Sequence, residues 1–312
     1  MQALYEESLS LYRELGNRRG IAMSLLNQGM FKKTRGDLEA AQAHYEESVG
    51  LFREIGDRRN TAVVLTALAQ IAGIHGEYAV ARTFLEESHR VFVELKDRRY
   101  TAIANTALGE LASSQGNYEI AQHHLSLSAN IFREIGDRSN VAWALLNLGD
   151  ANVGMGNTVL ARSIMEESLH LFEEIGNSRG SGLALTQLGR LVCRQGDAAS
   201  ARVLHEKSLA LNRELGNLLF VAMNLEGMAS VILLPSKPDH AAAVRLWGAA
   251  SALREPFGAP RPVHELASYE REVDMARALL GDEAFSEAWE EGRAMTWQRA
   301  AIYALEEAGA GG

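Results

Sequence analysis

Arg190 and Arg194 stand four residues apart, one helical turn, so their guanidinium groups could converge on a single carboxylate or phosphate. Glu110 and Asp150 offer the reverse chemistry, an acceptor for a basic group. Trp143 would suit an apolar peptide or partner helix. The residue types that covalent chemistry needs are present but not arranged for it. No Gly-x-x-x-x-Gly-Lys-Ser/Thr phosphate loop occurs, which excludes a nucleoside triphosphatase of that type within these residues. Gly154-Met155-Gly156 lacks the following glycine of a dinucleotide loop and falls between two helical stretches. His123-His124 and the other histidines show no metal-ligand spacing. Glu46-Glu47, Glu86-Glu87 and Glu166-Glu167 are adjacent on helices and point about 100° apart, so they read as solvated faces and not as acid and base. Cys193 has no patterned histidine partner, and the serines at 40-residue spacing (Ser8, Ser48, Ser88, Ser128, Ser168, Ser208) have no base at fixed distance. All of these read as packing residues. No catalytic residue, cofactor or metal is expected.

The elements that would position the recognition residues come from an internal repeat. Ala41, Ala81, Ala121, Ala161 and Ala201 are spaced by 40, as are Gly36, Gly76, Gly116, Gly156 and Gly196. A second glycine series runs Gly16, Gly56, Gly136, Gly176 and Gly216, with Lys96 in the missing place. Between these punctuation marks the apolar residues follow a 3.6-residue period: Ala142, Leu145, Leu146 and Gly149, then Leu160, Ala161, Ile164, Leu171 and Phe172. Strand-like alternation is absent. A glycine followed by Asn or Asp ends one helix in the left-handed conformation and caps the next, so the chain reverses about every 20 residues. Gly156-Asn157 shows the device; Glu77 is the exception inside a unit. Helix pairs of this kind cannot bury their apolar faces alone and must stack on their neighbours.

Leu148-Gly149, Gly156-Asn157 and Ala161, and again Gly116-Asn117-Tyr118 with Ala121, resemble the tetratricopeptide repeat. The usual unit of that family is about 34 residues; these are 40 long, with an Arg-Glu-Ile-Gly-Asp-Arg linker at Arg53 to Arg58 and Arg133 to Arg138. Longer repeats of this form look like those of bacterial multidomain signalling ATPases and transcription activators, including the maltose-regulon activator type and the antibiotic regulators of actinomycetes. The resemblance implies an all-α right-handed superhelix, an α-solenoid, whose first helices line a concave groove. Carried over residue by residue, it places Gln70, Glu110, Trp143, Asp150, Arg190 and Arg194 on that face. These positions change chemistry from unit to unit while the framework repeats.

Hydrophobic residues make up 47% and charged residues 23%, which is globular usage. The formal charge of −9 makes a phosphate-tracking basic surface a poor expectation, so no direct nucleic-acid partner is predicted. No run of ~18 apolar residues suits a membrane span. One cysteine and no export signal fit the cytoplasm. Residues 1–15 match a second helix, so the chain opens halfway through a repeat, as expected either of the C-terminal piece of a longer protein or of a start that lies downstream of the true one. All five prolines lie between Pro235 and Pro262, where the regular repeats stop. His264 to Leu280, Asp282 to Arg293 and Thr296 to Glu307 then read as three further helices, with Gly281-Asp282 a cap pair and Trp247, Trp289 and Trp297 a sealing core.

The expectation is a solenoid over residues 1–257, half a repeat and about six helix pairs, followed by capping helices over 258–312. Its function would be non-catalytic: a scaffold for a protein or peptide ligand, the sensor of a bacterial signal-transduction ATPase or transcription regulator with an upstream ATPase domain. The alternative is a free-standing adaptor for a peptide or small-molecule inducer.

Overall fold

The computed structural model describes residues 2–234, 238–258 and 261–310; Pro235 and Pro260 lie outside them. Among the described residues there are sixteen α-helices and no strand. The chain divides into two compact units, Met1–Gly136 and Asp137–Gly312. Unit 1 holds α1 (Gln2–Glu14), α2 (Arg18–Thr34), α3 (Leu38–Glu54), α4 (Arg58–Ile74), α5 (Tyr78–Glu94), α6 (Arg98–Ser114) and α7 (Tyr118–Glu134). Unit 2 holds α8 (Arg138–Gly154), α9 (Thr158–Glu174), α10 (Ser178–Arg194), α11 (Ala198–Leu215), α12 (Leu218–Leu233) and α13 (His240–Arg254). A 3₁₀ turn (Glu255–Phe257) then leads to α14 (Val263–Leu280), α15 (Asp282–Arg293) and α16 (Trp297–Ala310).

The turns explain the period. Gly156 sits at φ +80, and the Asn157 N–H then reaches back to the Asn152 carbonyl at 2.9 Å, closing α8. Side chains of Asn17, Asp37, Asp57, Asp97, Asp137, Asn177, Asp197 and Asn217 accept from the backbone N–H three residues on. Asn157 does not, contrary to expectation: its amide turns back and donates to Asn152 Oδ1 at 3.4 Å. Asn117 makes no side-chain cap bond either. Asp282 also fails as a cap, because it is the first residue of α15 and Gly281 (φ +80) holds the cap position.

Within each pair a small residue meets a large one. A Cβ on Gly149 would stand 2.6 Å from Met165 Cγ, and one on Gly189 2.8 Å from His205 Nε2. Gly29 faces Tyr45 and Gly109 faces Leu125 in the same way. These contacts bring the helix axes close, and the periodic serines use the proximity. Ser48, Ser128 and Ser168 donate across to the carbonyls of Ala22, Ala102 and Ala142 at 2.8, 2.9 and 2.8 Å. Ser208 does so to Gly182 at 2.6 Å, while Ser88 bonds its own helix at Leu85. The serines are therefore interhelical ties as well as small packing residues.

In unit 2, α15 and α16 close over α12 and α13 around the fully buried Trp247, with Phe285, Ala288, Ala300 and Ala304. Trp289 packs against this core; Trp297 is half-buried and not part of it. Gly248 and Gly292 let α13 and α15 meet at backbone distance, since a Cβ on Gly292 would overlap the Arg245 carbonyl oxygen.

Two consequences are measurable. Lys96, at φ +54, is the one non-glycine left-handed residue among those described. Because that conformation costs an L-residue roughly 1–2 kcal/mol, Lys96→Gly should stabilise the chain by about 1 kcal/mol, read as a rightward shift in urea unfolding. His205 is buried and donates from Nδ1 to Asn224 Oδ1 at 3.1 Å, and burial holds its pKa down to about 4. The unfolded imidazole protonates below about 6.5 while the folded one stays neutral, so stability falls as pH drops from 6.5 towards 4, by up to about 3 kcal/mol. His205→Leu, with the residue found at Leu85 and Leu125, should flatten that slope.

Candidate ligand-binding face

The first helices of unit 2 present one face built from residues a repeat apart. Positions 150 on α8 and 190 on α10 are Asp and Arg; one turn earlier on the same face, the series Leu26, Thr66, Thr106, Leu146 and Thr186 ends at Glu226 on α12. Glu226 is 6% exposed and gathers three guanidinium groups. Arg190 Nη2 donates to it at 2.7 Å, Arg254 Nε and Nη2 at 2.7 and 2.8 Å, and Arg261 Nη2 at 2.8 Å. Burial alone pushes the Glu226 carboxyl up, but the Arg254 hydrogen bonds and the charges of Arg190, Arg254 and Arg261 outweigh it and hold the carboxyl below its usual range. Arg261 also lies over the Tyr269 ring, 3.7 Å from its centroid.

Helix α14 does more than seal an end. Its N-terminus lies on this face. Glu265 accepts from Arg190 Nη1 at 2.7 Å and pairs with Arg194 at 3.3 Å. His264 Nε2 stands 3.5 Å from Asp150 Oδ1. About two turns further on, Glu272 accepts from Ser230 Oγ at 2.8 Å. Asp150 is pushed up, first by burial and also by the charge of Glu265, against the pull of His264, Arg194 and Arg190. Burial likewise raises Glu272 and pushes the Cys193 thiol up to about 12. Between α10, α12 and α14 a cavity of about 320 Å³ remains, lined by Cys193, Arg194, Leu233, Trp247, Tyr269 and Met275 among others.

Asp150, Arg190 and Arg194 are thus brought together, with the two guanidinium groups already engaged by acids of the same chain. Trp143 packs edge-on against Phe172, with centroids 4.9 Å apart and planes at 68°, as part of the α8–α9–α10 core. Gln70 and Glu110 belong to unit 1, where Lys33 donates to Gln70 Oε1. Burial lowers the Lys33 ammonium pKa and the Glu110 carboxylate raises it, burial prevailing. Sequence reasoning did not single out Lys33, Glu226, Arg261, His264 or Glu265. Glu226 alone carried a signal, an acid in a series otherwise apolar or Thr.

Among the described residues no group of three or more His, Cys, Asp or Glu is placed to hold a metal ion, and no helix is long and apolar enough to cross a membrane.

Removing the hub separates buried from exposed ion pairs. Glu226→Gln leaves three guanidinium groups around a neutral amide and should cost about 3–5 kcal/mol, lowering the melting midpoint by roughly 10 °C. Glu94→Gln, which breaks the exposed pair with Arg58, should change stability by less than about 1 kcal/mol. Thermal unfolding followed by circular dichroism checks both.

A search against curated proteins finds no match. Among solved structures, a Rap protein complexed with competence and sporulation factor superposes with TM-score 0.67 at 15% identity, over 95% of this chain and 76% of that one. The Rap conjugation gene regulator of plasmid pLS20, in complex with the Phr* peptide, gives 0.58 at 13%, over 94% and 74%. A signal transduction ATPase with numerous domains from Pyrococcus horikoshii, which has a tetratricopeptide repeat sensor, gives 0.58 at 15%, over 93% of this chain and 45% of that one. At these identities the likeness is one of fold. The sequence itself matches the tetratricopeptide repeat pattern over residues 20–92, 100–174 and 183–215. With more than half of its length so matched, and its helices paired and turned as described, the chain belongs to the tetratricopeptide repeat family.

Proposed function

We propose that this chain is a non-catalytic receptor for a protein or peptide segment, acting as the sensor or interaction region of a bacterial, cytoplasmic signal-transduction ATPase or transcription regulator. The observation that carries it is the first-helix face of unit 2, which holds a helical segment of its own chain through ion pairs at Arg190 and Arg194 and a His264 contact at Asp150. A surface that grips α14 by side chains has the chemistry to grip another peptide. The fold-level likeness to a Rap regulator seen with the Phr* peptide, and to an ATPase with a repeat sensor, supports the same assignment. The net charge of −9 speaks against nucleic acid as the direct partner.

The cavity of about 320 Å³ beneath α14 favours one second reading, a free-standing receptor for a small-molecule inducer, because that volume lies within the range of ligand pockets.

Panning phage-displayed random peptides on the purified chain tests the receptor. Selected peptides should lose at least tenfold in affinity for Arg194→Glu, which changes the more exposed of the two arginines. Equal binding to the variant and the native chain would remove this face from the function. The context is tested in the native reading frame: an upstream phosphate-loop domain supports the sensor, and an immediate in-frame stop moves the assignment to the free-standing receptor.

A further inference from the structure

Helix α14 is poorly attached for its length. Of its 18 residues only Ala276 is buried, whereas α12 buries 11 of its 16. Leu266, Met275 and Leu279 are exposed by 38%, 51% and 63%. It has no side-chain N-cap bond, and the chain enters it through a left-handed Gly258 (φ +53) and Pro262. The cavity over Cys193 lies between it and α10 and α12, so apolar contact is missing where a core helix would supply it. Its apolar hold is confined to Tyr269, Val273, Ala276 and Leu280, packed on the Trp247 core. On the first-helix face itself the contacts are polar: Glu265 on Arg190 and Arg194, His264 on Asp150, and Ser230 on Glu272. Segments with few buried apolar contacts open at low free-energy cost.

The charges say what could replace it. Lifting Glu265 away leaves Arg190 with Glu226, but Glu226 also serves Arg254 and Arg261, and Arg194 loses its carboxylate. The exposed face is then short of negative charge, with Asp150 short of its basic partner one helix away. An incoming segment meets both demands if it carries an acid next to a basic residue, as His264-Glu265 does.

We propose that α14 is a displaceable internal ligand: the Glu265 carboxylate occupies a two-arginine receptor, and an acidic peptide binds unit 2 by exchanging with it. This rests on the receptor function proposed above and adds its ligand class and its regulation.

Cys193 is the chain's one cysteine and lies in the cavity between α14 and the first helices, so its modification by Ellman's reagent at pH 8 reports opening. In the full chain Glu265→Gln should accelerate modification at least tenfold with the helical circular dichroism unchanged. A synthetic peptide of residues 261–280 added in trans should restore protection to that variant, and the same peptide with Glu265→Gln should not. Native-like protection in both Glu265→Gln and the His264→Gln/Glu265→Gln double variant overturns the proposal. So does acceleration that the acidic peptide fails to reverse, which also covers a variant that has merely loosened. A panned peptide that binds while Cys193 stays protected refutes the exchange and leaves the receptor function standing. Failure of the receptor function itself shows separately, as peptide binding indifferent to Arg194→Glu.

Discussion

A pair of 17-residue helices cannot bury its own apolar stripes, and everything else in this chain follows from that shortage. Each unit must lend one helix face to its partner and another to its neighbour. The close approach is possible only where a glycine or alanine meets a bulky side chain: Gly29 under Tyr45, Gly109 under Leu125, Gly149 under Met165. The same approach brings the serine hydroxyls within reach of the facing carbonyls, so a residue that costs helix propensity becomes a tie between helices. The third face of each first helix takes no part in this packing. It alone is free to vary, and it does: Met30, Gln70, Glu110, Asp150 and Arg190 occupy one repeat position.

That freedom explains why buried charge concentrates in unit 2. Removing a carboxylate and a guanidinium from water is expensive unless geometry returns the cost, and packed apolar residues would hold two helices as well or better. Glu226 is satisfied by three arginines and Arg190 by two acids and the Met223 carbonyl at 3.0 Å. A network so fully paired fixes which segment sits on the face and in what register. It does less for the depth of the energy well, since Glu265, its link to α14, comes from a helix that buries little.

Helix positions and turn glycines were legible from one sequence because each is local or repeats every 40 residues. The left-handed Lys96 stood out as the one break in a glycine series, and the structure gives it that conformation. What could not be read is long-range and unrepeated. Arg190 meets Glu265 across 75 residues, and no earlier unit has an equivalent of α14 to reveal the pairing. The two arginines looked available for an external ligand because periodicity tells which way a side chain points and nothing about what arrives from outside the repeat. Asn157 failed as a cap for a smaller reason: an amide has a second choice, and Asn152 stands within reach.

The chain contains two populations of ion pairs made from the same residue types. One is a ladder on the surface, Arg18 with Glu54, Arg58 with Glu94, Arg98 with Glu134 and Arg138 with Glu174, renewed every 40 residues with both partners about half exposed. Water and salt screen such pairs, so each contributes at most about 1 kcal/mol, and losing one is tolerated. The other is the cluster around Glu226 and Glu265, where the partners are between 6% and 34% exposed. There the dielectric is lower, attraction and desolvation are both larger, and a mismatched occupant leaves a charge unpaired. Loss of a ladder pair therefore leaves the rest of the ladder intact, whereas any segment entering the buried cluster must supply charge of the right sign at the right atom. On the function proposed above, selectivity would reside in this cluster, where Glu226 departs from the repeat.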